Sequence, residues 1–322
     1  MRKSTKFWLL SAASLIALGG VTFTITGCSI AWDFNKFSTT EFETNTYTVN
    51  EDFNDISVDI NTTDLTFLPS DNGECKMVCY EDVKMKHSMT VENGILTIQN
   101  KDERAWYDHL SIGGSSPTAT VYLPKAQYNN LSIDISTGDI TLPNNFTFNS
   151  VAISGSTGDV TCSTAVATTL SIEISTGDIA LTETTADSIN LTVSTGDVVM
   201  NSVAVVNALT TKSSTGSLTM NHVSCKTFTN DSGTGDLEMK NVLATEKMHI
   251  EKSTGDVEFE HCDAGEIYIK TSTGDVEGSF LTPKNFIIPN RDDDVEVPPS
   301  SEGGKCEIIT STGDIEITVI NE

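Results

Sequence analysis

The segment Leu131-Ser-Ile-Asp-Ile-Ser-Thr-Gly-Asp-Ile-Thr-Leu142 decides the fold of this chain, because its central Ser-Thr-Gly-Asp returns, with few changes, every 19 or 20 residues. Apolar and polar residues alternate on both sides of the glycine, which is typical of strands that are buried on one face. A period of this length indicates that each repeat is one small unit stacked on the next. The repeat glycines are Gly138, Gly158, Gly177, Gly196, Gly216, Gly235, Gly255, Gly274 and Gly313.

A β-solenoid is the fold that this repeat predicts. A crossover of strand, helix and strand needs about 30 residues, and no part of the repeats has an apolar stripe at helical spacing. Each repeat reads as a strand, a glycine corner, a second strand and a looser return segment. We therefore expect an all-β, parallel β-solenoid (β-helix) with coils of 19–20 residues. The coils should stack about 4.8 Å apart, with the right-handed crossovers that parallel strands prefer.

Two segments depart from the regular repeat. The step from Gly274 to Gly313 is twice the usual length, and Asp294-Val295 falls where Asp and Val of a tenth, degenerate coil would stand. Near the other end, Ile56–Phe67 repeats the frame of Leu131–Leu142, with Thr63 in the glycine position. The two segments start 75 residues apart, which is close to four periods. We expect residues 51–128 to form an irregular β-cap that covers strand edges, and 129–322 to form the regular solenoid.

The first 28 residues differ in composition from the remainder. A basic start precedes the uncharged run Phe7–Ile25, which indicates a secretory signal or a membrane anchor. Ile-Thr-Gly-Cys28 also fits a bacterial lipobox, in which Cys28 would be lipidated. Residues 29–50 are expected to be a spacer. Either interpretation places the solenoid on the outer side of a bacterial cell membrane.

The net charge excludes some classes of partner, and the cysteine spacing argues against a structural zinc site. The formal net charge of −26 repels nucleic acid and anionic lipid headgroups, so neither is expected as a partner. No Cys-x-x-Cys pair indicates a structural zinc site. The remaining cysteines are expected to be buried or partly buried free thiols: Cys75, Cys79, Cys162, Cys225, Cys262 and Cys306.

Carboxylates recur at fixed positions after the glycine. An Asp follows the glycine in nearly every coil, Ser217 being an exception, and in the last five coils a Glu follows two residues later. Because the residue between them is apolar and points inward, both carboxylates should point outward and form two acidic ladders. Neighbouring charges about 4.8 Å apart repel by roughly 1 kcal/mol in water. The first coils supply Asp139, Asp159, Asp178 and Asp197, and the last five supply Asp236, Glu238, Asp256, Glu258, Asp275, Glu277, Asp294, Glu296, Asp314 and Glu316.

Three explanations for the ladders are open at this stage. Each Asp can accept hydrogen bonds that cap a corner, adjacent carboxylates can bind Ca²⁺ weakly, or the ladders can face a cationic partner. The chain lacks the nine-residue Gly-Gly-x-Gly-x-Asp spacing of calcium-binding β-rolls, which favours capping. No other cofactor is expected.

Three smaller clusters are weaker candidates. Trp106 and Tyr107 form the one aromatic cluster that merits a test as a ligand site, and packing within the cap is the alternative. His222 and His261 share one phase of the repeat, but two layers place them roughly 9.5 Å apart, which predicts surface turns. Arg291–Asp294 is similar to the acidic clusters of pectin-cleaving β-helices, but an imperfect corner is the simpler interpretation.

The repeated Ile-Ser-Thr-Gly-Asp-Ile coils, the opening Tyr47-Thr-Val-Asn-Glu-Asp-Phe-Asn-Asp-Ile56 and the segment Val121-Tyr-Leu-Pro124 carry a family resemblance. Residues 40–322 resemble the bacterial β-strand-repeat family described as putative adhesins. The resemblance implies a β-solenoid on an envelope protein, often with an N-terminal membrane segment. It implies no particular ligand and no catalytic residues.

The sequence therefore favours a non-enzymatic protein of the cell envelope, an adhesin or binding scaffold. The N-terminal segment would contact the membrane, and an envelope or extracellular protein or glycan would be the partner. Two alternatives remain, a polysaccharide-acting enzyme on a β-helix and a sensor of envelope stress. Converging carboxylates with a basic helper in one groove would favour the enzyme, whereas a repetitive face would favour binding.

Overall fold

The computed structural model describes residues 41–103, 116–289, 295–299 and 302–320. Over these residues the protein is an all-β, parallel β-solenoid, and none of them is helical. No helix that is long and apolar enough to span a membrane occurs in the described part of the chain. Cys28, Trp106, Tyr107, Arg291 and Asp294 lie outside the described residues.

The described residues divide into two compact units. The smaller unit contains residues 41–43, 82–86, 101–103 and 116. In it, the backbone amide of Val83 donates to the carbonyl of Glu41 at 3.0 Å, and that of Glu103 donates to the carbonyl of Lys84 at 2.9 Å. The larger unit, called the solenoid unit here, contains residues 44–81, 87–100 and the described residues from 117 onward.

Twenty-six strands are present in the described residues. Before the regular repeats they are β1 (Phe42–Val49), β2 (Asp55–Thr62), β3 (Asp64–Pro69), β4 (Cys75–Asp82), β5 (Met85–Glu92), β6 (Ile95–Asp102) and β7 (Thr118–Leu123). The regular repeats contain β8 (Gln127–Thr137), β9 (Ile140–Leu142), β10 (Thr147–Thr157), β11 (Val160–Cys162), β12 (Ala165–Val166), β13 (Thr169–Thr176), β14 (Ile179–Thr182), β15 (Thr185–Ala186), β16 (Ser188–Thr195), β17 (Val198–Val205), β18 (Ala208–Thr215), β19 (Leu218–Thr234), β20 (Leu237–Thr254), β21 (Val257–Thr273), β22 (Val276–Phe280), β23 (Lys284–Ile287), β24 (Val295–Glu296), β25 (Gly304–Thr312) and β26 (Ile315–Val319).

Each coil pairs in register with the next, so equivalent residues form columns along the solenoid. In the pair β8 and β10, Leu131 lies opposite Val151 and Thr137 lies opposite Thr157. The alternating apolar residues point inward, and Leu131, for example, is 1% exposed. Burying a side chain of this size contributes about 1.5–3 kcal/mol. The two-residue alternation of the sequence thus becomes one continuous core of stacked aliphatic columns.

The repeat glycine is required by the close approach of successive coils. The nine repeat glycines have φ between +119° and +145°, a conformation that L side chains rarely adopt. A Cβ atom on any of them would lie 1.9–2.2 Å from the carbonyl oxygen of the residue beneath it in the preceding coil. Positive φ and lack of space therefore both select glycine at this corner.

The N-terminal coil lies directly beneath the first regular coil. Ile56 pairs with Leu131, and Thr63 occupies the glycine position beneath Gly138. The shared frame predicted from the sequence is present, and the two coils are adjacent although 75 residues separate them in sequence. The residues between them make other contacts: β6 pairs with the opposite edge of β2, and β4 pairs antiparallel with β7.

The C-terminal coils do not stack in chain order. The amide of Gly274 donates to the carbonyl of Thr312 at 2.9 Å, so the coil of Gly313 stacks directly on the coil of Gly274. Strands β23 and β24 pair with the far edges of β25 and β26, and Val295 lies opposite Ile315. The degenerate segment expected between these two coils is therefore the outer layer, and the last segment of the chain is inserted beneath it.

Candidate functional site

The aspartates that follow the repeat glycines hold the corners together. Seven of these carboxylates, together with that of Asp64 in the N-terminal coil, accept a hydrogen bond from the backbone amide of the equivalent residue in the next coil, at 2.8–3.1 Å. Asp197, for example, accepts from the amide of Ser217 at 2.8 Å, and the hydroxyl of Ser217 accepts from the amide of Asp236 at 3.2 Å. The column therefore provides a side-chain acceptor where the glycine corner interrupts the backbone ladder.

A buried lysine lies beside two of these aspartates. Lys252 is 6% exposed and stands three residues before its glycine, in a column that holds Ile174 and Val193 in earlier coils. Its Nζ donates to the carbonyl of Gly235. Burial lowers the pKa of Lys252, while the nearby Asp236 and Asp256 oppose that shift. Lys252 thus supplies a cation within the protein that offsets the repulsion between adjacent carboxylates.

The second ladder, formed by the glutamates, lines a groove along the strands that follow the repeat glycines. The groove has a volume of about 670 Å³ and crosses six coils, from Asn201 to Thr318. Its floor is the strand backbone at the buried residues Met220, Met239 and Phe259, and at Gly278, which lies opposite Phe259. We call this feature the acidic groove; its first wall contains Thr219, Glu238, Glu258, Glu277 and Glu316.

The four glutamates of the first wall belong to an uninterrupted row that Glu296 continues. In spatial order the row runs Glu238, Glu258, Glu277, Glu316 and Glu296, because each is paired in register with the next. All five are exposed, and parallel pairing spaces them about 4.8 Å apart. Partial burial raises the pKa of Glu277, and the neighbouring carboxylates of Glu316, Asp275 and Glu258 add to that rise. The row therefore concentrates negative charge that no lysine or arginine lining this wall offsets.

The second wall of the acidic groove is polar and contains an ion pair. Lys240 Nζ contacts a carboxylate oxygen of Glu260 at 2.7 Å, and this contact lowers the pKa of Glu260. The oxygen Oδ1 of Asn221 is buried and has no hydrogen-bond partner in the described structure. Besides these residues, the wall contains Asn201, Ser279 and Thr318.

A bend just beyond the second wall gives the groove its edge. The sixth residue after the glycine has positive φ in five coils, namely Glu183, Ser202, His222, Asn241 and His261, with φ between 51° and 57°. The surface turns predicted for His222 and His261 agree with this conformation, and the coil of Asn241 separates the two. The sequence analysis did not predict the second wall. Its signal is one residue per coil that adopts positive φ, and such a residue does not form a chemical motif.

The carboxylates of the ladders lie in rows and do not converge. Among the described residues, the one group of three His, Cys, Asp or Glu side chains with ligand atoms within 4.8 Å of one another is Cys79, Glu81 and His87. Binding of Ca²⁺ along the ladders therefore stays a prediction. The candidate ligand residues Trp106 and Tyr107 and the candidate metal ligand Asp294 lie outside the described residues, as does the lipidation candidate Cys28.

The six described cysteines are free and buried, as the sequence predicted. Burial raises the pKa of the Cys75 and Cys225 thiols to about 12. A thiol with so high a pKa is almost entirely protonated at neutral pH and is a poor nucleophile. Cysteine chemistry therefore gives no support to an enzymatic site at these two positions.

Comparison with known proteins identifies the family. No curated protein matches this chain. A putative adhesin from Parabacteroides distasonis ATCC 8503 is 14% identical, with 75% of this chain and 98% of that chain covered and a TM-score of 0.46. A putative adhesin from Bacteroides fragilis NCTC 9343 is 14% identical, with 88% and 99% covered and a TM-score of 0.43. A putative lipid binding protein from Parabacteroides distasonis ATCC 8503 is 15% identical, with 86% and 97% covered and a TM-score of 0.44. The family model described as Toastrack DUF4097 matches residues 53–206 and 180–322, and because these matches span more than half of the sequence, the chain belongs to the Toastrack DUF4097 family.

Proposed function

We propose that this protein is a non-enzymatic binding scaffold of the bacterial cell surface, an adhesin that holds cationic segments of an envelope or extracellular partner in the acidic groove. The observation that carries the proposal is the row from Glu238 to Glu296, five exposed carboxylates in register, four of which line the acidic groove. A solvent-exposed groove of about 670 Å³ beside that row has room for an extended chain.

Regular spacing favours a ligand that carries several positive charges. One exposed ion pair contributes only about 0.2–1 kcal/mol, which is too little for specific binding. When the charges are linked in one chain, each further contact forms intramolecularly, and the affinity rises without any strong single contact. A segment rich in lysine or arginine, or a polymer that bears amino groups, has this chemistry. Binding through the row should weaken with added salt.

The arrangement of the carboxylates supports binding over sugar hydrolysis. A glycosidase needs one carboxyl group that stays protonated and a second that faces it across the scissile bond. Glu260 is the carboxylate on the second wall, and its ion pair with Lys240 lowers its pKa and favours the ionised form. The first wall repeats one residue type at one spacing, which suits repeated weak contacts.

The proposal includes a location on the outer side of the cell membrane. The uncharged run Phe7–Ile25 and the lipobox-like segment ending at Cys28 are the support for a membrane anchor or a lipidated N-terminus. The relatives that are described as adhesins fit the same assignment. A chain with a net charge of −26 would also be repelled by anionic headgroups, which suits a binding face directed away from the membrane.

Binding of a fluorescently labelled lysine decapeptide, measured by anisotropy at low and high salt, tests the proposal. We expect saturable binding that weakens with salt and that falls about tenfold or more, equivalent to roughly 1.4 kcal/mol, in the triple variant Glu238→Gln, Glu258→Gln, Glu277→Gln. The matched control is the triple variant Asp134→Asn, Glu173→Gln, Asp231→Asn, which makes the same change of charge at exposed residues outside the groove, each four residues before a repeat glycine.

Equal losses in the two triple variants would show that net charge alone attracts the peptide, and the groove would then have no special role. No binding by the unmodified protein would remove a polycationic ligand altogether. Calorimetry with Ca²⁺ at millimolar concentration separates a third outcome. Heat that disappears in the groove variant, together with no peptide binding, would assign the row to divalent cations instead.

A further inference from the structure

Three side chains that commonly bind metals are buried together in the solenoid unit, far in sequence from the acidic groove. Cys79 and Glu81 lie on β4 and His87 lies on β5, and one ligand atom of each lies within 4.8 Å of the other two. Cys79 and Glu81 are 0% exposed and His87 is 3% exposed. Neither the fold nor the proposed binding function requires a thiol, a carboxylate and an imidazole at one point of the core.

The carboxylate of Glu81 is held in place by four hydrogen-bond contacts. Oε1 accepts from Asn45 Nδ2 at 2.7 Å and from the hydroxyl of Tyr47 at 2.6 Å. Oε2 accepts from the backbone amide of His87 at 2.7 Å and lies 2.6 Å from His87 Nδ1. Donors of this kind orient a carboxylate in the way that outer-shell residues orient a metal ligand. Burial raises the pKa of Glu81, and these hydrogen bonds outweigh that effect and lower the pKa.

The other nitrogen of His87 also has a hydrogen-bond partner. Nε2 lies 3.0 Å from Oγ1 of Thr63. Oγ1 can donate its single hydrogen to the carbonyl of Thr62 at 2.5 Å and accept a hydrogen bond from Nε2–H. In that tautomer the neutral imidazole presents the lone pair of Nδ1, which is the form that binds a metal ion. Thr63 would then orient the ring as an outer-shell residue.

The contact of 2.6 Å between Nδ1 and Oε2 is a hydrogen bond in the described structure, and a bound metal ion would replace it. A hydrogen bond between His87 and Glu81 does not require a thiol, yet Sγ of Cys79 lies within 4.8 Å of a ligand atom of each. We propose that Cys79, Glu81 and His87 form a binding site for Zn²⁺, with Thr63, Asn45 and Tyr47 as the outer-shell residues that orient the ligands.

The ligand set selects zinc among the common divalent ions. Zn²⁺ binds thiolate sulfur, imidazole nitrogen and carboxylate oxygen, whereas Ca²⁺ and Mg²⁺ require oxygen ligands. Burial and the charge of Glu81 raise the pKa of the Cys79 thiol to about 12 in the absence of metal. A bound Zn²⁺ would deprotonate this thiol and neutralise the buried charges. Three protein ligands leave a fourth position that a water molecule can occupy.

The site would join β4 and β5 to the first solenoid coil. Thr63 stands in the glycine position of that coil, beneath Gly138, and its hydroxyl contacts the imidazole. Because metal binding requires the folded arrangement, Zn²⁺ would stabilise this part of the solenoid unit. The signal in the sequence is Cys79-x-Glu81 on one strand, since residues two apart point to the same side. A rule that looks for Cys-x-x-Cys pairs does not find it.

Metal analysis of the purified full-length chain tests the proposal. After exhaustive dialysis against metal-free buffer, we expect about one Zn²⁺ per chain by mass spectrometry of the elements, and a higher melting temperature with Zn²⁺ than with a chelator. Replacement by Co²⁺ should give the near-ultraviolet absorption of a cobalt–thiolate bond. Cys79→Ser should remove that band. Cys75→Ser is the matched control, because Cys75 is buried on the same strand and is not part of the cluster.

Absence of both retained zinc and the cobalt–thiolate band in the unmodified protein would overturn the proposal and leave the proton as the bridge between His87 and Glu81. A band that persists in Cys79→Ser but is lost in Cys75→Ser would move the metal elsewhere and would also overturn it. The measurements on the unmodified protein decide the question even if a variant fails to fold. None of them depends on the acidic groove, so the two proposals can fail separately.

Discussion

The backbone amide of Asp314 donates to Oδ1 of Asp275 at 2.8 Å, although 39 residues separate the two positions. Every other link in this column joins residues 19 or 20 apart, except the link from Asp139 to Asp64, which spans 75. At both ends of the regular repeats, the chain therefore leaves the stack and returns to it in register. The corner hydrogen bond therefore depends on which coils are stacked, and the number of residues between the two coils does not affect it.

Removal of the inserted coil should free the segment that lies over it. Strands β23 and β24 pair with β25 and β26 in the described structure. Truncation after Gly303 removes both partners, so we expect the backbone amides of 284–287 and 295–296 to lose protection from hydrogen exchange. Exchange measured by mass spectrometry checks this, with the amides of β13 as an internal control. Protection that survives the truncation would mean that the outer segment pairs directly with β21 and β22.

The repeat glycines should tolerate no side chain. In Gly196→Ala the Cβ atom would lie 2.0 Å from the carbonyl oxygen of Gly177, at a φ of +145°. Overpacking and backbone strain together should cost roughly 3 kcal/mol or more in the free energy of unfolding. Gly94→Ala is the control, because Gly94 also has positive φ but nothing lies within 4 Å of the added atom. It should cost about 1–2 kcal/mol, from backbone conformation alone. Urea denaturation of both variants compares them, and equal losses would contradict the steric argument.

The corner aspartates should act through their oxygen rather than their charge. Asp197→Ala removes the acceptor of the Ser217 amide and should destabilise the fold by about 1 kcal/mol. Asp197→Asn keeps an oxygen at the same position and should lower the free energy of unfolding by at most a few tenths of the loss in Asp197→Ala. Thermal melting in Ca²⁺ and in EDTA checks both variants, with Asp134→Ala as an exposed control outside the column. A loss in Asp197→Asn that occurs only with Ca²⁺ would assign this corner to cation binding.

The regular coils could be predicted from the sequence because each depends on local pattern. Alternation of apolar residues around Gly138 fixes which side chains face inward, and the repeat period fixes which residues share a column. That the segment around Thr63 follows the repeat frame could be predicted for the same reason. That Thr63 lies directly beneath Gly138 could not be predicted, because a long loop between two paired coils costs little additional loop entropy and leaves their pairing unchanged.

The candidate sites were less accessible to sequence reasoning. The row from Glu238 to Glu316 was predicted as a ladder, but its groove needs a second wall whose bend depends on the φ of His222 and its equivalents. Cys79, Glu81 and His87 come together through the packing of an irregular segment, for which no repeat supplies a register. Spacing in sequence predicts contacts only where the structure repeats that spacing.

Lys252 should make stability depend on pH in the alkaline range. Burial lowers its pKa below the ordinary value of 10.5, so the folded chain binds this proton less tightly than the unfolded chain does. Where the unfolded state binds more protons, stability rises with pH. As the pH rises from the lowered pKa to 10.5, burial of Lys252 should therefore reduce the free energy of unfolding by less and less. The variant Lys252→Met lacks this titratable group and should not show that change.

The measurement is the difference in unfolding free energy between the unmodified protein and Lys252→Met, taken from urea denaturation at several pH values from neutral to alkaline. Subtraction removes the titrations that both proteins share, including those of the buried thiols. We expect the difference to move in favour of the unmodified protein as the pH rises. Lys212→Met, which changes an exposed lysine, should give a flat difference. A flat difference for Lys252→Met, or one that moves in favour of the variant, would mean that Asp236 and Asp256 hold the proton on Lys252 strongly enough to cancel the effect of burial.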